Sequence, residues 1–221
     1  MLKLKTLISS FFILIGAYML YGILLSILSH FVPSIDLNTY KQDGILDLLQ
    51  SNMLRAFVLI VVFAPIAEEM MFRTLIAPRH IDLILFIAVW PVFFLVRFVP
   101  LDVHWAVKIT FTLIFLFAVT YIGRELLPKN RTSAIRNWLN KHKNLLLIIT
   151  SLIFGFVHIT NYVDAFTVNL TLFLLILPRI IAGFILGFVK LKNTSLIWSI
   201  LLHAMNNGMA FAFIIFFRNG I

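Results

Sequence analysis

The chain has 221 residues, of which 62% are hydrophobic and only 12% charged, with a mean hydropathy of +1.03. Soluble domains are about 45–50% apolar and about 25% charged, so the composition describes a multi-pass membrane protein with room for one helical bundle. The absence of cysteine excludes disulfides, thiolate catalysis and cysteine-ligated zinc or iron–sulfur sites, and the net charge of +9, gathered in alternate loops, points to membrane topology rather than nucleic acid.

At about 20 residues per crossing, the hydropathy predicts an all-α, polytopic transmembrane bundle of about seven spans, six to eight at the limits. They fall near residues 7–31, 53–78, 81–100, 105–122, 144–163, 168–189 and 195–217. The first follows "MLKLK" and runs on without an A-x-A-like end, which predicts a retained span rather than a signal peptide. Residues 1–50 thus comprise the first span and an outer loop. The segment "RELLPKNRTSAIRNWLNKHKN" reads either as a surface helix on anionic lipid, with Trp138 at the interface, or as a solvated basic loop. "AGFILG" (Ala182 to Gly187) supplies small residues for close helix approach.

With the N-terminus inside, the inner segments hold Lys3, Lys5, Arg79, Arg124, Lys129, Arg131, Arg136, Lys141, Lys143, Lys190 and Lys192. The outer segments hold Lys41, Arg55 and Arg218, with Asp102 among their acidic residues. Eleven against three predicts a cytoplasmic N-terminus.

An ionisable residue inside a span costs several kcal/mol unless it is paired or wet, and marks a functional site by default. Glu68, Glu69, Arg73, His158, Arg179 and His203 qualify, and the polar Asn207 is a candidate with them. Arg97 and Lys108 lie near predicted outer ends and can snorkel. In "APIAEEMMFRTLI", Glu69 and Arg73 are four apart and share a helix face, so they can pair. Glu68 projects about 100° away without that partner and is the candidate working carboxylate. Pro65 is expected to free the carbonyl of Val61 and admit water. In "HAMNN", His203 and Asn207 again share a face.

At about 1.5 Å per residue, Glu68 lies roughly 16 Å, His158 roughly 21 Å, His203 roughly 12 Å and Asn207 roughly 18 Å from the inner end. All four are therefore expected in one mid-membrane layer. A carboxylate and a histidine there can activate water, and a second histidine with an asparagine can hold the oxyanion of an attacked carbonyl. The same residues leave a three-ligand zinc site from His158, His203 and Glu68 open as an alternative.

"EEMMFR" fits E-E-x-x-x-R, "FGFVH" (Phe154 to His158) fits F-x-x-x-H, and "HAMNN" fits H-x-x-x-N. In order and spacing these resemble the CAAX-protease and bacteriocin-processing family of membrane endopeptidases, also called the Abi family. The resemblance extends over roughly residues 50–212. It implies an intramembrane protease domain at 51–212, with 213–221 as the end of the last span. By that resemblance Glu68 and His158 activate water and His203 and Asn207 form the oxyanion site. Glu69, Arg73 and Phe154 are supporting, and no catalytic metal or cofactor takes part. Arg179 is outside the signature, with Glu69 as a candidate partner. The implied partner is a membrane-associated peptide or protein substrate in the lipid of a cell membrane, and the short cysteine-free chain reads as bacterial. A non-proteolytic scaffold or bacteriocin-immunity protein of the same fold is the other reading. A small transporter lacks the inverted repeats and broken helices that would support it.

Overall fold

The computed structural model describes residues 2–32, 35–36, 39–40, 42–95, 99–100 and 103–218. Lys41, Arg97 and Asp102 lie outside the described residues. The elements are α1 (Leu2–Phe31), α2 (Asp43–Ser51), α3 (Met53–Phe57), a wide-turned π segment (Val58–Phe63), α4 (Ala64–Phe72), α5 (His80–Leu95), α6 (Trp105–Leu126), α7 (Lys129–Lys141), α8 (Lys143–Val157), a 3-10 turn (His158–Asn161), α9 (Leu170–Asn193) and α10 (Leu196–Arg218). The protein is an all-helical membrane bundle. Five of its helices are long and apolar enough to cross a bilayer, and α5 is a shorter apolar one.

Two local outcomes differ from expectation, and a third settles between the two readings of the basic segment. The predicted second span, 53–78, is α3, the π segment and α4 run together, and it stops at Phe72. Ala77 follows in the left-handed region (φ 47°) and turns the chain towards α5. The loop 32–52 contains α2, whose backbone ends on Asn52, and the Asn52 side chain caps α3 by accepting from the Arg55 amide at 2.8 Å. The basic segment is helical over Lys129–Lys141, with Trp138 exposed.

Without water to drive helices together, packing in lipid depends on close approach and on polar bonds between helices. α8 lies along α9, and a Cβ on Gly183 would sit 3.0 Å from Ser151 Cα, so the two backbones nearly touch there. α1 also packs on α9. Pro178, inside α9, has no amide to offer the Leu174 carbonyl. The Tyr21 hydroxyl of α1 donates to that carbonyl at 2.5 Å instead. Large apolar side chains such as Phe12, Ile13, Met19 and Phe117 face outward, where a bilayer would meet them.

The two ends of the bundle differ. At one, the Asn193 amide donates to the Lys3 carbonyl (3.4 Å), and His80 Nδ1 meets Thr132 Oγ1 of α7 (2.9 Å). Between them Lys190 and Asp82 form a fully buried ion pair at 2.7 Å. The Lys190 ammonium also donates to the Thr194 carbonyl, and Arg79 closes on the other Asp82 oxygen at 3.1 Å. This is the basic end. At the other, Asn169 donates to the Tyr40 hydroxyl and Gln42 donates to that of Tyr162, which ties α2 and the preceding chain over α8 and α9.

Candidate active site

Glu68 and Glu69 leave α4 on different faces, as neighbours on a helix must. Glu69 is fully buried. Its Oε2 lies 3.6 Å from Arg73 Nε one turn on, and its Oε1 lies 3.0 Å from His203 Nδ1 of α10. A paired carboxylate only accepts, so His203 carries its proton on Nδ1 and turns Nε2 towards Glu68. Glu69 therefore bridges two helices. The pairing with Arg73 was expected, whereas the bond to His203 depends on how α4 meets α10 and leaves no mark on helical spacing.

The Arg73 guanidinium, also fully buried, makes no hydrogen bond among the described residues. Instead it stacks 4.4 Å from the ring centre of Phe154 and 5.8 Å from that of Phe72. Phe154 in turn lies 4.7 Å from the His158 ring and 5.7 Å from that of His203. One buried phenylalanine thus braces the arginine and both histidines, which gives F-x-x-x-H a physical meaning.

His158 sits at the end of α8, where the helix tightens into the 3-10 turn. Its Nδ1 is 2.6 Å from the Phe154 carbonyl one turn back. A carbonyl only accepts, so Nδ1 is the donor and Nε2 bears the lone pair. That Nε2 is 3.8 Å from Glu68 Oε2, and His203 Nε2 is 3.7 Å from the same oxygen. The Glu68 carboxylate, 26% exposed, is held between two imidazoles whose outer nitrogens are both fixed.

Asn207 shares the wall but faces away from expectation in one respect. Its Nδ2 donates to the Ile60 carbonyl at 2.9 Å. In the π segment Ala64 N–H bonds Leu59, five residues back, so in that register Pro65 leaves Ile60, not Val61, without its amide. Asn207 fills that gap and keeps a second N–H, while Asn206 Nδ2 donates to its oxygen at 3.3 Å.

These groups line a cavity of about 620 Å³. Its walls come from α1 (Tyr18, Tyr21), α2, the π segment, α4, α8, α9 and α10, and none of the basic end's lysines or arginines contributes. It runs from Glu68 towards the α2 end. Arg179 lines it, half-buried, and donates to Gln42 Oε1 at 3.5 Å rather than to Glu69. Lys108, read as snorkelling, takes no part in the cavity. Tyr18, Tyr21 and Gln42 carried no signal in the sequence, because each sits in a span or loop with no local polar partner. Among the described residues no group of three His, Asp or Glu side chains is arranged to hold a metal ion.

A family model described as type II CAAX prenyl endopeptidase Rce1-like matches residues 50–209. No curated protein and no solved structure matches the chain.

Proposed function

The chain belongs to the Rce1-like family of type II CAAX prenyl endopeptidases, and from that premise we propose that it is an intramembrane endopeptidase of the glutamate type. Its substrate is a peptide bond in a membrane-associated peptide or protein. The observation that carries this reading is the Glu68 carboxylate set between His158 Nε2 and His203 Nε2 at 3.8 and 3.7 Å. Those separations are too long for direct hydrogen bonds and suit one water shared between carboxylate and imidazole.

In this mechanism the water oxygen attacks the carbonyl carbon of the scissile bond as Glu68, with His158, takes its proton. His203, held at Nδ1 by Glu69, turns Nε2 to the oxyanion and donates there when that nitrogen carries a proton, and the remaining Asn207 N–H donates beside it. Collapse breaks the C–N bond, and the proton taken from water passes to the leaving amine. Glu69 and Arg73 act as positioning residues, since they reach the reaction only through His203 and Phe154. We propose 51–212 as the protease unit, with α1 contributing Tyr18 and Tyr21 to one wall of its cavity.

Water attack without an acyl-enzyme has a direct test. The purified protein in lipid nanodiscs, given a library of quenched amphipathic peptides, is expected to cleave a subset of them, and added hydroxylamine is expected to form no hydroxamate of the acyl product. A hydroxamate would reveal a covalent acyl intermediate and overturn the water mechanism. Failure to cleave any peptide under conditions where the protein is folded would favour the scaffold.

We propose that the basic end lies in the cytoplasm of a bacterial cell, on the ground that eleven lysines and arginines fall in its segments against three in the opposite ones. The cavity, which is lined by α2 and by none of the basic end's lysines or arginines, then lies towards the outer side. The natural absence of cysteine makes this measurable without background. A membrane-impermeant maleimide should label Asp47→Cys on α2 in intact cells, and Lys192→Cys only after permeabilisation. The reverse pattern would invert the topology.

A further inference from the structure

Arg73 and Lys190 are fully buried in the described helices and Arg179 lines the cavity, and the three differ in how they are paired. Arg73 faces Glu69, and Lys190 faces Asp82. Arg179 has no carboxylate partner among the described residues. Its one hydrogen bond, to Gln42 Oε1, is long at 3.5 Å, and the Tyr162 ring centre lies 5.9 Å from its Cζ. Gln42 is held for this purpose, because its Nε2 is committed to the Tyr162 hydroxyl, which leaves Oε1 turned to the guanidinium. A guanidinium has five N–H donors in a fixed fork, so most of those on Arg179 have no acceptor among the described residues.

The setting defines what is missing. Arg179 lines the same cavity as Glu68 and His158, and its charge acts on both and on Tyr18. An ionisable group at membrane depth costs several kcal/mol unless it is paired or wet, and the planar fork pairs best with a carboxylate, bidentately. The cavity that holds it also holds the reacting groups, so its partner arrives with the substrate.

We infer that Arg179, steadied by Gln42 and Tyr162, is a carboxylate-binding subsite that engages an anionic group of the peptide substrate beside the scissile bond. This rests on the endopeptidase reading for the identity of the substrate, but the subsite is testable by binding alone. Two sources of the carboxylate exist, the C-terminus of the peptide and an acidic side chain. Each has its own arm in the test.

Eight-residue amphipathic peptides are prepared in pairs that differ only in a C-terminal acid or amide, or only in one internal Glu or Gln. Binding is measured to the full-length Glu68→Gln protein in zwitterionic nanodiscs, so that the peptide stays intact, and cleavage by the wild type is followed in parallel. Hydrogen bonds to a charged group contribute about 1.5–3 kcal/mol, so the anionic member of one pair is expected to bind about 10- to 150-fold tighter. In the Glu68→Gln, Arg179→Gln protein that preference should fall to about one while the neutral peptide binds as before. Arg179→Lys should keep part of it, which controls for loss of fold. The pair that shows the preference identifies which carboxylate is read. Equal binding of acid and neutral peptides, an unchanged ratio in Arg179→Gln, or no binding at all would overturn the subsite. So would loss of the preference when phosphatidylglycerol is added, which would assign Arg179 to a lipid phosphate. Peptide preference without wild-type cleavage would instead sink the protease reading and leave the subsite standing.

Discussion

Glu68→Gln is expected to reduce peptide cleavage by about two to four orders of magnitude, the usual contribution of a general base, while leaving the bundle as stable as the wild type. The amide keeps the size and most of the hydrogen-bonding shape of the carboxylate but cannot take the proton from water. Glu68 is partly open to the cavity and belongs to no close ion pair, the nearest histidine nitrogens lying at 3.7 and 3.8 Å. Its neutralisation therefore strands no buried cation.

The neighbouring carboxylate gives the contrast. Glu69→Gln removes the charge that faces the fully buried Arg73 and the anchor of His203. Breaking a buried pair costs about 3–5 kcal/mol, so this variant should lose folded protein as well as activity. Thermal unfolding in detergent, run beside the cleavage assay, separates the two effects. Wild-type rates in Glu68→Gln would remove it from the chemistry. A stable but inactive Glu69→Gln would exchange the roles assigned to the pair.

The second large effect concerns the opposite end of the bundle. Asp82→Ala is expected to destabilise the protein by about 3–5 kcal/mol, because Lys190 stays fully buried with only the Thr194 carbonyl and the nearby Arg79 charge beside it. Lys190→Met alone should cost less. The long side chain can be replaced by one of similar length, and Arg79 still reaches the Asp82 carboxylate. The double change Asp82→Leu, Lys190→Met should recover most of the loss, since two apolar groups of like volume avoid the desolvation of both charges. A double-mutant cycle on unfolding midpoints, with Asp82→Leu and Lys190→Met made singly and together, reads this coupling. Additive single effects would mean that the 2.7 Å pair contributes no coupling. Activity per folded molecule should be unchanged throughout, because the pair ties α5 to α9 at the basic end and does not line the cavity.

Much of this protein is written in local sequence. Apolar runs of span length fix a helical membrane bundle, since a bilayer leaves backbone amides no partner but their own helix. The predicted crossings 105–122, 168–189 and 195–217 correspond to α6, α9 and α10 within a few residues. The Glu69–Arg73 pair and the diverging Glu68 follow from 3.6 residues per turn, and the three motifs led to the family. A common depth for Glu68, His158 and His203 came from counting residues, and their side chains do meet.

What spacing does not encode is which faces of separate helices touch. That His203 Nδ1 bonds Glu69, that Phe154 stacks on Arg73, and that Asp82 reaches Lys190 108 residues away are decided by packing of α4, α5, α8, α9 and α10. The π segment moved the carbonyl left by Pro65 from Val61 to Ile60, a one-residue shift that only the register of neighbouring turns could set. Gln42 and the two tyrosines of α1 entered the cavity from segments whose own sequence is silent about it. Sequence alone determined the solvent, the helices and the chemical groups, because hydropathy and helical period act over short distances. The tertiary structure alone decided how each histidine is fixed, which segments line the cavity and which cations of the helices meet a carboxylate, because those depend on contacts between residues far apart in the chain.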